Sequence, residues 1–279
     1  MHSFQTPTPP RLRIEIPKGR IRVVAEATEV TRVELTAIHG DATAKAWITE
    51  AEIVQGGDEI VVRIRKTGLR LLGLGGAIEA LVHAPLDSAA TLATGDGAIE
   101  TIGRLGAVSA SSGSGAISLD DSGEARARTG SGAIAIGACT GSVDAKTGSG
   151  RITVGRVGAN ARIVTGSGHA ELGEAAGEAR LTTASGHIEV GQAGDSLEAI
   201  AASGHVHIRR ADHGRVRART ASGQISVGVA GGAAALLDIS TMSGRVNSQL
   251  EPGAPPREGE PRVELILSTL SGHVNLARA

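Results

Sequence analysis

Three histidines recur at one interval: His169, His187 and His205 each follow a Ser-Gly pair and stand 18 residues apart. Two residues beyond each comes Glu171, Glu189 or His207. If 18 residues make one structural repeat, these six side chains gather on one face as a patch of imidazoles and carboxylates, donors suited to Zn or Ni. His169, His187 and His205 are therefore the candidate metal ligands, binding weakly and reversibly on a flat face; a solvated polar face is the alternative reading. A second set is cationic. Arg126, Arg128, Lys146, Arg162, Arg180, Arg217 and Arg219 occupy outward positions of the same repeats, diluted by Asp144 and Glu198. Such a stripe suits an acidic partner. No aromatic side chains are interleaved to stack on bases, so nucleic acid is not the expected partner.

Signatures of catalysis are missing. Gly73-Leu74-Gly75-Gly76 completes neither a dinucleotide fingerprint nor a phosphate-binding loop. Asp120, Asp121, Asp195 and Asp212 fall at turns instead of pairing on one face. A calcium-binding nonapeptide solenoid needs an Asp in each turn, where this chain has Ser. The reading is a non-enzymatic chain with no catalytic residue and no cofactor.

The elements that position these residues are set by the repeat itself. Blocks on the pattern Thr/Ser-x-Ser-Gly end at Gly97, Gly115, Gly132, Gly150, Gly168, Gly186, Gly204, Gly223, Gly244 and Gly272. Between them apolar and polar residues alternate, as in Val143-Asp144-Ala145-Lys146 and Ile152-Thr153-Val154. Alternation with period two marks half-buried strands. Stacking the repeats puts Val108, Ala125, Val143, Ala161, Ala179, Leu197, Val216, Leu237 and Leu265 in one inward column. A second column runs Ile117, Ile134, Ile152, Ala170, Ile188, Val206, Ile225, Val246 and Val274. One short repeat cannot bury its apolar side alone, so neighbours must share a core. The expected fold is all-β, a parallel β-solenoid of about ten coils of roughly 18 residues, spanning residues 87–279. The serines before the glycines, from Ser114 to Ser271, are expected to bond the corner backbone, and the glycines to supply positive φ.

Residues 1–86 read as an irregular β-rich cap with a short helix. Leu12–Ile16 and Ile21–Val23 flank Pro17-Lys18-Gly19 as two short strands, and Val33–Leu35 is a third. A helix is expected over 41–50, with Asp41 as N-cap and Ala44, Trp47, Ile48 and Ala51 on one face. A hairpin turning at Gly56-Gly57 follows. The proline-rich stretch 251–256 lengthens the last repeat and is expected to protect that end.

Composition bounds the rest. The chain has 279 residues, 41% hydrophobic, with formal net charge -1, which excludes a disordered tail and a strongly basic nucleic-acid binder. Phe4 and Trp47 are the only aromatic residues, so the core must be thin. The single cysteine, Cys139, excludes an intramolecular disulfide framework, and no apolar run approaches the roughly 20 residues that span a bilayer. With no secretory signal pattern at its start, the chain is expected to be cytoplasmic and to carry no transmembrane segment.

The repeats of the form Thr-x-Ser-Gly-x-Ile-x-Val, the opening Leu-Arg-Ile-Glu-Ile-Pro-Lys-Gly-Arg-Ile-Arg-Val and Val33-Glu34-Leu35 together resemble the bacterial DUF4097 family of β-strand repeat proteins, often labelled adhesins. The resemblance covers essentially the whole chain and implies a repeat architecture, with no catalytic residues to carry over. The expected function is a scaffold or protein-interaction module of unknown partner, with self-association as one form of it. A cell-surface adhesin or envelope-stress protein is the alternative.

Overall fold

The computed structural model describes residues 1–64, 76–250 and 261–279, so Gly73 to Gly75 and the proline-rich stretch 251–256 lie outside the described residues. Apart from one α-helix and one 3-10 turn, every element described is a strand. The chain divides into two compact units, Met1–Cys139 and Thr140–Ala279. The boundary expected between residues 86 and 87 falls inside the first.

In the second unit each rung is a pair of strands joined by a Gly corner, and successive rungs pair in parallel one repeat apart. Val143 pairs with Ala161, Ala161 with Ala179, Ala179 with Leu197 and Leu197 with Val216. On the other side of the corner Ile152 pairs with Ala170, Ala170 with Ile188, Ile188 with Val206 and Val206 with Ile225. All of these are buried, as the alternation requires. Because one rung's N–H and C=O groups are satisfied by the next, the backbone itself enforces the register. The Ile152 N–H donates to the His169 carbonyl at 2.9 Å, and the Ala170 N–H to the His187 carbonyl at 2.9 Å.

The corner chemistry differs from expectation. The serines before the glycines are exposed. At most corners it is the Thr or Ser three places before the glycine that is buried and bonded, although Ala201 stands at that place before Gly204 and the buried Thr94 hydroxyl before Gly97 has no hydrogen-bond partner among the described residues. Thr165 Oγ1 donates to the Gly150 carbonyl at 3.0 Å and accepts the Gly168 N–H at 3.1 Å. Ser112, Thr129, Thr183, Thr220 and Thr269 likewise donate to the Gly97, Gly115, Gly168, Gly204 and Gly223 carbonyls. Each hydroxyl ties its own corner to the corner of the adjoining rung. The expected positive φ is found at Gly97, Gly204, Gly223 and Gly272, and the corner glycines also serve close approach. At Gly168 and Gly186, where φ is not left-handed, a Cβ would overlap the backbone carbonyl of the neighbouring rung's glycine.

Stacking order departs from chain order at the end of this unit. After the rung 214–229 comes 262–278, and only then 234–248: Val216 pairs with Leu265 and Leu265 with Leu237, Ile225 with Val274 and Val274 with Val246. The chain vaults over the space of one rung at Ala230–Ala233, and its last two strands fill that space. Arg278 locks the vault, donating from Nη1 to the Ala230 and Ala233 carbonyls at 3.0 and 3.1 Å. Leu237 and Val246 therefore point inward as expected but lie on an outermost rung, and are 39% and 45% exposed.

The first unit repeats the device. The two short strands expected around Pro17-Lys18-Gly19 are one bent strand, Arg11–Glu26, which makes a full rung. It lies between the rung 89–102, through Leu12 with Ala90 and Ile21 with Ile99, and a rung built from 59–63 and 78–85, through Leu12 with Ile60 and Ile21 with Ala80. The chain returns past it at Asp87, whose φ of 61° is held by a two-point contact with Arg104 at 2.8 and 2.9 Å. The outer rung is covered. Glu52–Gly56 pairs antiparallel with 59–63 through the expected Gly56-Gly57 turn, Val30–Ala37 pairs antiparallel with 78–85, and His2–Gln5 with Val30–Ala37. The expected helix spans Ala42–Thr49, with Asp41 Oδ1 accepting the Ala44 N–H at 2.9 Å and Ala44 and Trp47 buried.

Two stability predictions follow from these placements. Ile152→Ala and Leu265→Ala empty a filled interior and are expected to cost about 2–5 kcal/mol, whereas the half-open Leu237→Ala should cost under about 1.5 kcal/mol. Urea unfolding of the three variants checks the order; equal losses would refute the outermost placement of 234–248. Thr165→Val keeps the shape and removes both bonds, at an expected cost of about 1–3 kcal/mol. Ser167→Ala, two residues along the chain and exposed in the structure, should lie within about 0.5 kcal/mol of the parent.

Candidate functional site

The parallel register brings the sequence-predicted histidines together as a stack. The His169 and His187 rings lie 4.9 Å apart, centroid to centroid, and those of His187 and His205 4.8 Å, each pair inclined by 11°. That spacing is the inter-strand distance, so the backbone sets it. Each ring also bonds the next rung. His169 Nδ1 accepts the His187 N–H at 3.1 Å, His187 Nδ1 the His205 N–H at 3.0 Å, and His205 Nδ1 the Gln224 N–H at 2.9 Å. His273 repeats the bond with the Arg245 N–H at 3.1 Å across the reordered rungs.

These bonds decide the chemistry. A neutral imidazole has one lone pair on a ring nitrogen; with Nδ1 accepting, the proton is assigned to Nε2. The lone pair a metal would need is thus committed to a backbone N–H in all three rings. The carboxylates beside the stack are engaged too: Thr153 Oγ1 donates to Glu171 at 3.5 Å, and Glu189 faces Arg209 at 3.4 Å. Among the described residues no group of three or more His, Cys, Asp or Glu side chains is arranged to hold a metal ion. His169, His187 and His205 therefore lie together, as their spacing indicated, but their ring nitrogens are used to pin rungs. Only hydrogen-bond geometry reveals this, because spacing alone cannot distinguish a ligand from an acceptor.

Burial among its neighbours, and then the charges of His205 and His169, hold the His187 imidazole below the ordinary histidine range. Protonation would put a hydrogen on the Nδ1 that accepts the His205 N–H and bring like charges into one stack. The unfolded chain takes up that proton first, near pH 6.5, so stability is full above that value and is lost as pH falls from it toward the lowered folded value. Thermal melts between pH 8 and pH 5 should show this decline. In His187→Asn, whose side-chain oxygen can accept the same N–H without titrating, the decline should shrink; an identical pH profile would exclude His187 as its source.

The cationic stripe is less cationic than its sequence suggests. In register the outward column runs Asp144, Arg162, Arg180, Glu198, Arg217. Arg180 meets Glu198 at 2.9 Å and Lys146 meets Asp144 at 3.4 Å. Beside it lies an open hollow of about 350 Å³ lined by Ser142, Asn160, Arg162, Glu178 and Arg180 among others. Its walls carry both signs of charge, and Asn160 Oδ1 is already accepting the Glu178 N–H at 2.9 Å. Cys139 is buried and outside any disulfide, its Sγ–H donating to the Gly123 carbonyl at 3.3 Å.

A chain of parallel rungs with its polar ladders turned to its own backbone defines an all-β repeat protein. The Toastrack DUF4097 profile matches residues 11–276, and the chain belongs to that family. No curated protein matches it. Among solved structures, a "putative lipid binding protein" from Parabacteroides distasonis is similar at 13% identity and TM-score 0.46, over 99% of this chain and 96% of that one. A "putative adhesin" from the same organism aligns at 10% identity and TM-score 0.37, over 98% and 96%. A "putative cell adhesion protein" from Clostridium sporogenes aligns at 9% identity and TM-score 0.25, over 100% and 98%.

Proposed function

We propose that this chain is a non-enzymatic parallel β-solenoid acting in the cytoplasm as a scaffold or protein-interaction module. The observation that carries the reading is the commitment of repeated polar groups to the fold. The histidine nitrogens and threonine hydroxyls that recur along the repeats bond the adjoining backbone, and among the described residues no group of three or more His, Cys, Asp or Glu side chains could hold a metal ion. What is left for function is the solvated outer faces, repeated at 4.8 Å, and the ends of the stack. The compartment reading is supported by a single cysteine kept buried as a thiol. Cell fractionation tests it.

Removal of residues 151–168 tests the distributed surface. Joining Gly150 to His169 deletes one rung and preserves every inward column, since Ile152 and Ala170 occupy equivalent places. Nearest-neighbour energetics predict a folded protein of moderately lower stability. Capture of a partner from lysate should weaken only in part. Complete loss of function in a variant with native circular dichroism and a native-like melt would locate the activity in that rung and end the scaffold reading.

A further inference from the structure

The two covered and uncovered ends differ in kind. In the first unit, the outer rung 59–85 has antiparallel strands laid along both of its strands. In the second, the outermost rung 234–248 pairs only with 262–278 among the described residues. Among the described residues no strand lies beside the N–H and C=O groups on the other edge of Ala234–Ser243, and such an edge is a template for another strand.

The side chains change there as well. The corner residue after each Thr or its equivalent is Gly95, Gly113, Gly130, Gly148, Gly166, Ala184, Ala202 and Ala221 in the other rungs. In the last two rungs it becomes Leu270 and Met242, which are 55% and 82% exposed. The outward column of Glu178, Ser196, Arg215 and Glu264 ends at Leu236, 69% exposed. Within the second unit the exposed large apolar side chains, Leu236, Leu237, Met242, Val246 and Leu270, all lie on these two rungs. They form the apolar surface that an interface core requires.

We propose that this end is a self-association surface, on which a second copy of the chain lays its own strand 234–243 antiparallel to the first about a two-fold axis. The inference rests on the interaction-module reading and names its partner. Three features select a second copy. A parallel, head-to-tail continuation needs a free outer edge on rung 59–85, and antiparallel strands cover that edge. A two-fold arrangement needs only the edge that is bare, and it closes without growing into a filament. The rung's formal charge is also balanced, with one Asp238 and one Arg245, so two copies bring no net charge to the contact. A ten-residue strand is about 33 Å long, and with its flanking apolar side chains it gives an interface near the lower limit of specific ones, about 1,200 Å². The dimer is therefore weak and concentration-dependent.

Sedimentation velocity on the full chain, over about a hundredfold range of concentration, should show a monomer passing to twice its mass. Leu236→Lys with Met242→Lys sets like charges against each other across the axis, and should weaken the dimer at least about tenfold. Ala202→Lys, at the equivalent corner of an inner rung, should leave it unchanged. Amide exchange of the unmodified chain supplies a readout independent of variant folding: protection at 235–243 should rise with concentration. A chain that stays monomeric throughout overturns the inference. A dimer indifferent to Leu236→Lys with Met242→Lys, without concentration-dependent protection at 235–243, overturns it too. Both results leave the interaction-module reading standing, since that reading falls only if removal of residues 151–168 abolishes function in a folded protein.

Discussion

Everything in this structure depends on one demand: the backbone groups of each rung must find partners on the rung beside it, at the fixed parallel-strand distance of about 4.8 Å. A rung alone exposes two rows of unpaired amides and a strip of Val, Ile and Ala too small to form a core. A neighbour in register removes both defects together. From that demand the repeat composition follows. Carbonyls at the corner press against the next corner, so any Cβ at Gly168 or Gly186 would collide with backbone, and glycine is required for space. The corner carbonyls that the strand ladders leave over are met by a buried hydroxyl, as Thr165 meets Gly150. Just outside the corner, where no hydroxyl reaches, an imidazole such as His187 accepts the next N–H. Three residue types that look like separate motifs answer one problem of backbone satisfaction.

The same demand explains why the chain leaves its own order near both termini. A terminal rung stacked last would fray, because it is held from one side only. Here the rung nearest the N-terminus, Arg11–Glu26, and the rung nearest the C-terminus, 262–278, are each flanked by two others. The outer places go to rungs made from internal segments, which the chain tethers on both sides. Asp87 with Arg104 holds one crossing and Arg278 the other, so each vault is pinned by a cation bonded to the turn or its acid.

The strands, their inward columns, the helix cap at Asp41 and the Gly56-Gly57 hairpin were legible in the sequence, because period-two alternation and capping chemistry are local. The stacking order was not. Periodicity records that Leu237 and Leu265 are equivalent, and it carries no information on which lies outside, so Leu237 read as core. The hint lay in the repeat lengths, which stretch from 18 residues to 21 and 28 where the chain must cross a rung and return. The histidine column was legible as a column, and its chemistry was not. A row of imidazoles one rung apart fits a metal, a solvated face or an acceptor ladder equally well, until the position of Nδ1 relative to the next N–H is known. The corner hydroxyl was assigned to Ser because Ser is the more regular residue, whereas burial selects the Thr three places before the glycine.

In a fold where the consensus residues serve the backbone, surface function must reside in departures from consensus. An outward position that stays small or polar for eight rungs has only solvent to satisfy; one that turns to Leu or Met must have something else to meet, since an isolated exposed methyl group gains nothing from its neighbours. The departures in the second unit are not scattered. Leu236, Met242 and Leu270 gather on the two rungs where the pairing of strands also runs out. Coincidence of an unpaired backbone edge with apolar side chains distinguishes a docking edge from an ordinary sheet end, which proteins blunt with charge, proline or a covering strand. The first unit is blunted in that last way, by Glu52–Gly56 and Val30–Ala37. The second presents the opposite chemistry at its outer rung, so the asymmetry is written into both backbone and side chains.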